Sequence, residues 1–192
     1  MKIGVLALQG DFIEHQKIME GLGAEVSQVR LPSDLVSLQG LVIPGGESTT
    51  IGKLAMDFKL MEPLRQFARD HAVWGTCAGS IFLSKDASRQ QPLMGMMDIK
   101  VERNAFGRQV DSFEVDLDIP CLKKVSDEES PFHAIFIRAP LIESVGEGVE
   151  ILASLADGRI VAAQQAKWLA TSFHPELTGD TRFHRYFMEM IP

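Results

Sequence analysis

The fold is decided by the stretch VWGTCAGSIFL, residues 73–83. Its first part, Val73–Thr76, is apolar and predicts a buried strand, and its second part, Ala78–Leu83, predicts a helix. The junction around Cys77 has the pattern G-x-C-x-G, which is the cysteine form of the nucleophile elbow. Such a turn needs small residues on both sides because the chain bends sharply and the central side chain projects outward. The stretch therefore predicts a strand, a cysteine at a strained turn and a helix in direct succession.

Strands and helices alternate upstream of this unit. The predicted strands are Ile3–Leu8, Glu25–Val29 and Gly40–Ile43, each short and bounded by turn residues. The predicted helices are Phe12–Leu22, with Gly23 just beyond its end, and Met61–His71. Alternation of this kind is typical of a mostly parallel sheet covered by helices.

The second half of the chain is richer in strands. Three strands without intervening helices are predicted at Ile99–Arg103, Ser112–Leu117 and Ile135–Arg138, and a meander is predicted at Ile151–Leu155, Ile160–Gln165 and Leu169–Phe173, with a turn at Asp157-Gly158. A final helix follows Asp180 as N-cap, because Phe183, Tyr186, Phe187 and Met190 have helical spacing. We therefore predict an α/β fold in one domain, residues 1–192, with a mostly parallel sheet flanked by helices and antiparallel additions.

Composition and charge narrow the classes of function. The chain has 192 residues, and 19 basic against 26 acidic residues give a formal net charge of −7. An acidic balance disfavours nucleic acid as a partner, because phosphate binding needs a basic face. Cys77 and Cys121 are too few for a disulfide framework and have the wrong spacing for zinc. The apolar run Ile3–Leu8 is too short for a signal peptide or a membrane span, so we expect a cytoplasmic protein with free thiols and no membrane contact.

Residues that follow predicted strands are the candidates for chemistry, because functional groups in α/β folds gather beyond the carboxyl ends of strands. Cys77 is the candidate nucleophile, and the N–H of Ala78 would face a developing oxyanion. The alternative is a structural cysteine, since free cysteines are among the most buried residues. His174 and Glu176, in SFHPE after the last strand, could supply a base and the acceptor that orients it. In an extended segment their side chains would lie on the same side, and a solvated His-Pro turn is the alternative.

The loop PGGESTT, residues 44–50, follows the strand Gly40–Ile43. Its glycines allow close backbone approach and positive φ angles, so free N–H groups could bind an anion. A phosphate-binding Walker loop is excluded, because the spacing to Gly52-Lys53 is wrong and Leu54 stands where Ser or Thr is required. The alternative is an ordinary turn that caps a helix through Ser48 or Thr49.

Other polar residues carry weaker signals. Arg103 and Arg138 end two predicted strands, where a guanidinium could hold a substrate carboxylate, although a solvated arginine is the usual outcome. His15 and His71 are predicted to be ordinary helix-face residues. His133 and His184 have no partner at ligand spacing, so no metal site is predicted, and Cys121 is expected to pack in the core.

Taken together, these motifs resemble the class I, or triad-type, glutamine amidotransferases, and within them the glutaminase subunits of pyridoxal 5′-phosphate synthases. The matching motifs are LQGD (8–11), PGGESTT (44–50), GTCAG (75–79), VERN with FGRQ (101–104 and 106–109), FIRAP (136–140) and SFHPELT (172–178). They occur in family order over essentially the whole chain. One departure is Ser80, where the family more often carries an aliphatic residue.

The resemblance implies a flavodoxin-like fold and a set of site residues. It implies that Cys77 attacks the side-chain amide of L-glutamine, that His174 moves the proton and that Glu176 orients His174. The implied oxyanion hole is the backbone at Gly46 and Ala78. The residues implied to hold glutamine are Gly46, Glu47, Ser48, Arg103, Ile137 (through its main chain) and Arg138.

The resemblance also implies a partner and no cofactor. Ammonia would pass through a channel to a separate barrel-shaped synthase subunit, which combines it with a pentose phosphate and a triose phosphate to make pyridoxal 5′-phosphate, in the biosynthesis of vitamin B6. Two other interpretations stay open at this point. One is a different thiol hydrolase, such as a γ-glutamyl hydrolase or peptidase, and the other is a binding module with a relic site.

Overall fold

The computed structural model describes residues 1–88, 90–103 and 112–192. The strands are β1 (Lys2–Leu6), β2 (Glu25–Val29), β3 (Gly40–Ile43), β4 (Ala72–Thr76), β5 (Ser84–Asp86), β6 (Met97–Glu102), β7 (Ser112–Leu117), β8 (Phe132–Ile137), β9 (Leu141–Val145), β10 (Glu150–Ser154), β11 (Ile160–Gln165) and β12 (Trp168–Thr171). The helices are α1 (Phe12–Gly21), α2 (Ser48–Asp57), α3 (Met61–Asp70), α4 (Ala78–Leu83) and α5 (Arg182–Glu189), with short 3₁₀ turns at Pro32–Leu35, Pro120–Lys124 and Pro175–Leu177.

Among the described residues, one sheet has the strand order β2-β1-β3-β4-β12-β11-β9-β6-β5, with β10 paired to β11. The run from β2 to β12 is parallel throughout. Strands β11, β9 and β6 continue it with antiparallel pairing, and β7 and β8 form a separate antiparallel ribbon. The predicted α/β fold, with a mostly parallel sheet and antiparallel additions, is confirmed.

Apolar cores cover both faces of the sheet. On β4, Val73 belongs to the core under α2, α3 and α4, and its neighbour Trp74 belongs to the core under α1 and α5. Leu41 and Val42 of β3 divide in the same way. Successive side chains of a strand point to opposite faces, so a continuous apolar run is what a sheet covered on both sides requires.

Helix ends differ from the sequence prediction where side chains decide them. The N-cap of α5 is Thr181, not Asp180. The carboxylate of Asp180 is instead held by the backbone N–H of Arg182 at 2.9 Å and by its guanidinium. The N-cap of α2 is Glu47, not Ser48 or Thr49, because its side chain accepts hydrogen bonds from the N–H groups of Thr49 and Thr50. Asp180 thus still accepts a hydrogen bond from the first N–H of α5, and at α2 the longer side chain of Glu47 takes the capping position.

The parallel run fixes where the site lies. Thr76, the last residue of β4, is in register with Thr171, the last residue of β12, and β3 lies on the other side of β4. The segments after these three strands therefore meet at one edge of the sheet, where the predicted candidates in residues 44–50, 75–79 and 172–178 come together. Within the described ranges, no helix has the length and apolar character needed to cross a lipid bilayer.

Gly79 offers a test of this close packing. A Cβ added at Gly79 would lie 1.9 Å from the carbonyl oxygen of Ile43, a backbone atom that cannot move aside cheaply. We expect Gly79→Ala to lower the free energy of unfolding by about 3 kcal/mol or more, as overpacking does. The measurement is urea denaturation followed by circular dichroism.

Gly21→Ala is the matched control. Gly21 ends α1, and a Cβ there would meet no atom within 4 Å. Alanine is the better helix former, so we expect the unfolding free energy to stay unchanged or rise by up to about 1 kcal/mol. Equal stability of the two variants would contradict the packing argument.

Candidate active site

Cys77 occupies a strained turn between β4 and α4. Its φ is 47° and its ψ is −111°, a conformation that L-residues rarely adopt. Its N–H donates to the carbonyl oxygen of Thr171 at 2.8 Å. The N–H of Ser80 at 3.1 Å and the hydroxyl of Ser80 at 2.7 Å both donate to the carbonyl oxygen of Cys77. The polar side chain of Ser80 therefore ties the first turn of α4 to the cysteine.

His174 and Glu176 lie beyond the end of β12. The N–H of His174 donates to the carbonyl oxygen of Ile135 in β8 at 2.9 Å, which fixes its backbone. Its Nδ1 lies 2.6 Å from Oε1 of Glu176, whose side chain is fully buried. The expected extended segment is wrong, because Pro175 starts a 3₁₀ turn, Pro175–Leu177. The predicted contact between the two side chains is nevertheless present.

The pKa values of His174 and Glu176 are shifted in opposite directions. Burial alone would lower the pKa of His174, but hydrogen bonds and charges at Cys77 and Glu176 raise it from 6.5 to about 10. Burial alone would raise the pKa of Glu176, but its contacts with His15 and His174 hold it well below its usual range. The site therefore carries a buried carboxylate and a protonated imidazole at neutral pH.

A cavity of about 490 Å³ opens in front of Cys77 and His174. It is lined by Gln9, Gly10, Asp11, Gly46, Glu47, Ser48, Cys77, Ala78, Ile81, Arg103, Ile137, Arg138, Pro140, His174 and Leu177. Every residue that the sequence predicted for the site lines this cavity except Glu176, which lies behind His174. The cavity is large enough for an amino acid, and both acidic and basic side chains face it.

Glu47 and Arg103 are paired on one wall. The guanidinium of Arg103 donates to Oε1 of Glu47 at 2.7 Å and to Oγ1 of Thr49 at 2.9 Å. Burial would raise the pKa of Glu47, but hydrogen bonds from Thr50 and Thr49 lower it to about 2. Glu47 thus stays ionised, caps α2 and anchors Arg103 at the rim of the cavity.

Two backbone segments face the cavity as possible anion binders. Ala78 is the first residue of α4, where N–H groups have no partner within the helix. Gly46 has a φ of 143°, and a Cβ there would lie 2.4 Å from Oε1 of Gln9. The same oxygen of Gln9 accepts the N–H of Glu47 at 2.7 Å. Gln9 therefore fixes the Gly46–Glu47 backbone against the loop that follows β1.

Ile137 and Arg138 reach the cavity from the end of β8. Arg138 has a φ of 44°, the second strained non-glycine residue on the cavity wall after Cys77. Strain of this kind is retained where the surrounding structure fixes it, often at functional sites. Asn104 and residues 106–109 of the sequence motifs lie outside the described residues.

Two buried histidines near Glu176, His15 and His184, carry no signal in the sequence. The prediction that His15 is an ordinary helix-face residue is wrong, because its side chain is fully buried, as is that of His184. Nδ1 of His15 lies 3.0 Å from Nε2 of His184, and Nε2 of His15 lies 3.2 Å from Oε2 of Glu176. No spacing rule joins positions so far apart in the chain. Their position before a buried carboxylate is visible only after α1 and α5 have packed on the same face.

Comparison with known proteins decides the family. The model of the SNO glutamine amidotransferase family matches residues 5–192. This chain belongs to that family. A curated relative from Herpetosiphon aurantiacus, named pyridoxal 5′-phosphate synthase subunit PdxT, is 60% identical over 98% of this chain and 99% of its own length. A relative of the same name from Moorella thermoacetica is 53% identical over the full length of both chains.

One solved structure agrees with this family assignment, and a second shares the fold. A crystal structure described as a glutamine amidotransferase is similar with a TM-score of 0.90 and 49% identity, over 98% of both chains. The crystal structure of a putative GMP synthase protein from Thermoplasma acidophilum is similar with a TM-score of 0.69 and 18% identity, over 100% of this chain and 94% of that one. The second likeness concerns the fold alone. The resemblance found in the sequence motifs is confirmed.

The shifted pKa of His174 can be measured directly. We expect the ring proton signals of His174 in NMR to titrate at about pH 10 rather than near 6.5. Because the folded pKa is the higher one, the bound proton stabilises the fold fully below about pH 6.5 and this contribution is lost as pH rises through about 10. In Glu176→Gln the charged hydrogen-bond partner is lost, so the pKa of His174 should fall by about one to two pH units.

Glu62→Gln is the control for this titration. Glu62 lies on α3, is exposed and pairs with Arg65, so its charge is lost without change near the cavity. We expect His174 to titrate there as in the unmodified protein. A midpoint near 6.5 in the unmodified protein would contradict the charge state described above.

Proposed function

We propose that this chain hydrolyses L-glutamine to L-glutamate and ammonia and supplies the ammonia to a separate pyridoxal 5′-phosphate synthase subunit. The observation that carries this proposal is the shared cavity of Cys77 and His174, with Glu176 2.6 Å behind the imidazole. A cysteine nucleophile, an imidazole within reach that carries the proton and an orienting carboxylate are the parts that acyl transfer requires. Membership of a glutamine amidotransferase family supports glutamine as the substrate. We assign the whole chain, residues 1–192, to one glutaminase domain.

The mechanism has two halves. The sulfur of Cys77 attacks the side-chain amide carbon of glutamine and forms a tetrahedral intermediate. His174 delivers a proton to the amide nitrogen, ammonia leaves, and a γ-glutamyl thioester remains on Cys77. A water molecule that gives a proton to His174 then attacks the thioester, and glutamate leaves as the Cys77 thiolate and the protonated imidazole of His174 are restored. Glu176 keeps Nδ1 of His174 engaged, so that the other ring nitrogen faces the reaction.

The oxyanion of both intermediates needs donors that are already in place. We assign these to the backbone at Ala78 and Gly46, which line the cavity beside Cys77. Donors that are fixed in advance stabilise charge in the transition state without any cost of reorganisation. The positive φ values of Cys77 and Gly46 are the conformations that turn these segments toward the cavity.

Glutamine brings an α-carboxylate and an α-ammonium group that must be neutralised inside the cavity. We assign the carboxylate to the guanidinium groups of Arg103 and Arg138 and the ammonium to Glu47. Gly46, Ser48 and the main chain of Ile137 complete the wall around the substrate. The low pKa of Glu47, about 2, keeps this group charged at any physiological pH.

Ammonia has to be used before it is lost. At neutral pH free ammonia is mostly ammonium, which is not a nucleophile, so direct transfer to a second active site preserves its reactivity. The curated relatives are named as subunits of pyridoxal 5′-phosphate synthase, which supports a synthase partner. We propose a barrel-shaped partner that combines the ammonia with a pentose phosphate and a triose phosphate. A cytoplasmic location stays a prediction.

Cys77→Ala tests the nucleophile. We expect it to reduce glutamate release from glutamine by at least about a thousandfold in the presence of the synthase subunit, because no covalent intermediate can form. The measurement is glutamate release with and without that subunit. Cys121→Ala is the control, since Cys121 lies outside the cavity. Full turnover by Cys77→Ala would overturn the assignment, and turnover of γ-glutamyl peptides but not glutamine would favour another thiol hydrolase.

Arg138→Asn tests substrate binding. Asparagine tolerates the positive φ of this position, so the variant removes the charge and leaves the backbone in place. A hydrogen bond to a charged group contributes about 1.5–3 kcal/mol, so we expect KM for glutamine to rise roughly 10- to 100-fold. Steady-state kinetics of the complex measures this. Arg159→Asn, in the β10–β11 turn outside the cavity, should leave KM unchanged.

A further inference from the structure

His15 and His184 form a buried polar pair behind the candidate catalytic residues. His15 lies in the first turns of α1, and His184 lies in α5. Both side chains are wholly shielded from solvent. Nδ1 of His15 and Nε2 of His184 lie 3.0 Å apart. Two helices on the same face of the sheet thus each place an imidazole in the buried core.

The pair ends on the carboxylate that holds His174. Nε2 of His15 lies 3.2 Å from Oε2 of Glu176 and 3.2 Å from Oγ1 of Thr76. The other oxygen of Glu176, Oε1, lies 2.6 Å from Nδ1 of His174. A buried carboxylate without partners is very costly, and polar contacts at its oxygens offset that cost. Among the described residues Oε2 has no partner with hydrogen-bond geometry, so its polar contact is the charge interaction with Nε2 of His15 at 3.2 Å. His15 is the group placed to serve the second oxygen.

The contacts determine which ring nitrogens carry protons. A carboxylate only accepts, so a lone pair on Nε2 of His15 would face negative charge, and this nitrogen must carry the hydrogen. If His15 is neutral, Nδ1 is then an acceptor, and Nε2–H of His184 donates to it. Nδ1 of His184 would be a bare lone pair, and among the described residues this buried atom has no hydrogen-bond partner.

The electrostatics of His184 agree with this arrangement. Burial lowers the pKa of His184 well below its usual range, so its ring is neutral. A neutral ring leaves only a lone pair unpaired, whereas a protonated ring would leave a buried charged N–H without an acceptor. With His15 neutral, Nε2–H of His184 therefore donates to His15, and Nε2–H of His15 faces Thr76 and the carboxylate of Glu176.

Aromatic packing fixes both rings. Trp74 of β4 meets His15 edge-on at 5.6 Å between ring centroids and meets His184 edge-on at 5.0 Å. The indole N–H of Trp74 donates to Oγ1 of Thr171 at 3.2 Å. Trp74 itself is fully buried between the strand and α5. A rotation of either imidazole would therefore require movement of the strand next to Cys77.

We propose that His15 is a positioning residue that fixes Glu176 in the orientation that directs His174 at Cys77, and that His184 fixes the ring of His15. This inference rests on the proposed function. If only His174 held Glu176, the carboxylate could rotate about its terminal bond. With Nδ1 of His174 bonded to one oxygen and Nε2 of His15 at 3.2 Å from the other, the carboxylate is held in one orientation, and it holds His174 in turn. Misplacement of a reacting group by about 1 Å can cost about 100-fold in rate.

The test compares His15→Leu with His15→Gln in the complex with the synthase subunit. Leucine fills the space but removes both polar atoms. Glutamine presents a donor and an acceptor on either side of one carbon, as the imidazole does. We expect His15→Leu to lower kcat for glutamine hydrolysis roughly 10- to 100-fold with KM changed less than about twofold, and His15→Gln to recover most of kcat.

Met19→Ala separates positioning from stability. Met19 is fully buried on the same helix, α1, and loses core volume on truncation, but it lies outside the histidine pair. We expect it to lower the unfolding free energy while kcat stays within about twofold. Equal kcat losses in Met19→Ala and His15→Leu, or no rescue by glutamine, would mean that His15 is only structural.

His184→Phe tests the same inference if His15→Leu fails to fold. Phenylalanine fills the space of the second ring and removes only the donor to Nδ1 of His15. We expect kcat to fall about three- to tenfold at unchanged KM, because the ring of His15 is no longer fixed. Unchanged kcat in this variant would contradict the proposed chain of donors.

A second measurement separates this inference from the proposed function. Alkylation of Cys77 by iodoacetamide, followed by mass spectrometry, needs no glutamine and reports whether His174 is in place. Cys121 serves as an internal reference, because burial raises its pKa to about 11 and slows its reaction. If the unmodified complex releases no glutamate, the proposed function fails, and slower alkylation in His15→Leu would still support positioning. Full glutamate release and unchanged alkylation in His15→Leu would overturn only the inference about His15.

Discussion

The strained backbone of Cys77 is the constraint on which the rest of the site depends. A φ of 47° costs about 1–3 kcal/mol for a residue with a side chain, so the conformation persists only where its surroundings enforce it. Here the enforcement comes from the sheet: the N–H of Cys77 is held by Thr171 of β12, and α4 lies so close to β3 that Gly79 has no room for a Cβ. The nucleophile therefore projects into the cavity because three parallel strands meet beside it.

The same parallel pairing brings the remaining groups to Cys77. Because Thr76 and Thr171 are in register, the segment after β12 reaches the cysteine within a few residues and delivers His174. Glu176 then has to lie inside the fold, where an unpaired charge is unfavourable. His174 contacts one oxygen of this carboxylate and His15 contacts the other. Burial of one carboxylate thus links β4, β12, α1 and α5 to a single imidazole orientation.

Agreement between sequence and structure was good wherever local patterns decide. The bounds of β2, β3, β7, β11 and α4 are the predicted ones, and Gly23, with a φ of 90°, follows the end of α1 as expected. The predictions failed where a side chain had several possible partners. Asp180 pairs with Arg182 rather than serving as the N-cap, Glu47 caps α2, and the motif around His174 forms a 3₁₀ turn instead of an extended segment. Which partner a side chain takes depends on distances in the folded protein, and the spacing of residues in the sequence does not give those distances.

The sequence by itself determined the α/β class, the turn at Cys77, the loops that line the cavity and the family, because each is written in residues that are close together in the chain. Only the tertiary structure decided which side chains surround Glu176 and how its charge is compensated. His15 and His184 are separated by 169 positions, and each alone has the pattern of an ordinary helix residue. Their role arises from the packing of two helices on one face of the sheet, a long-range contact that no local pattern specifies.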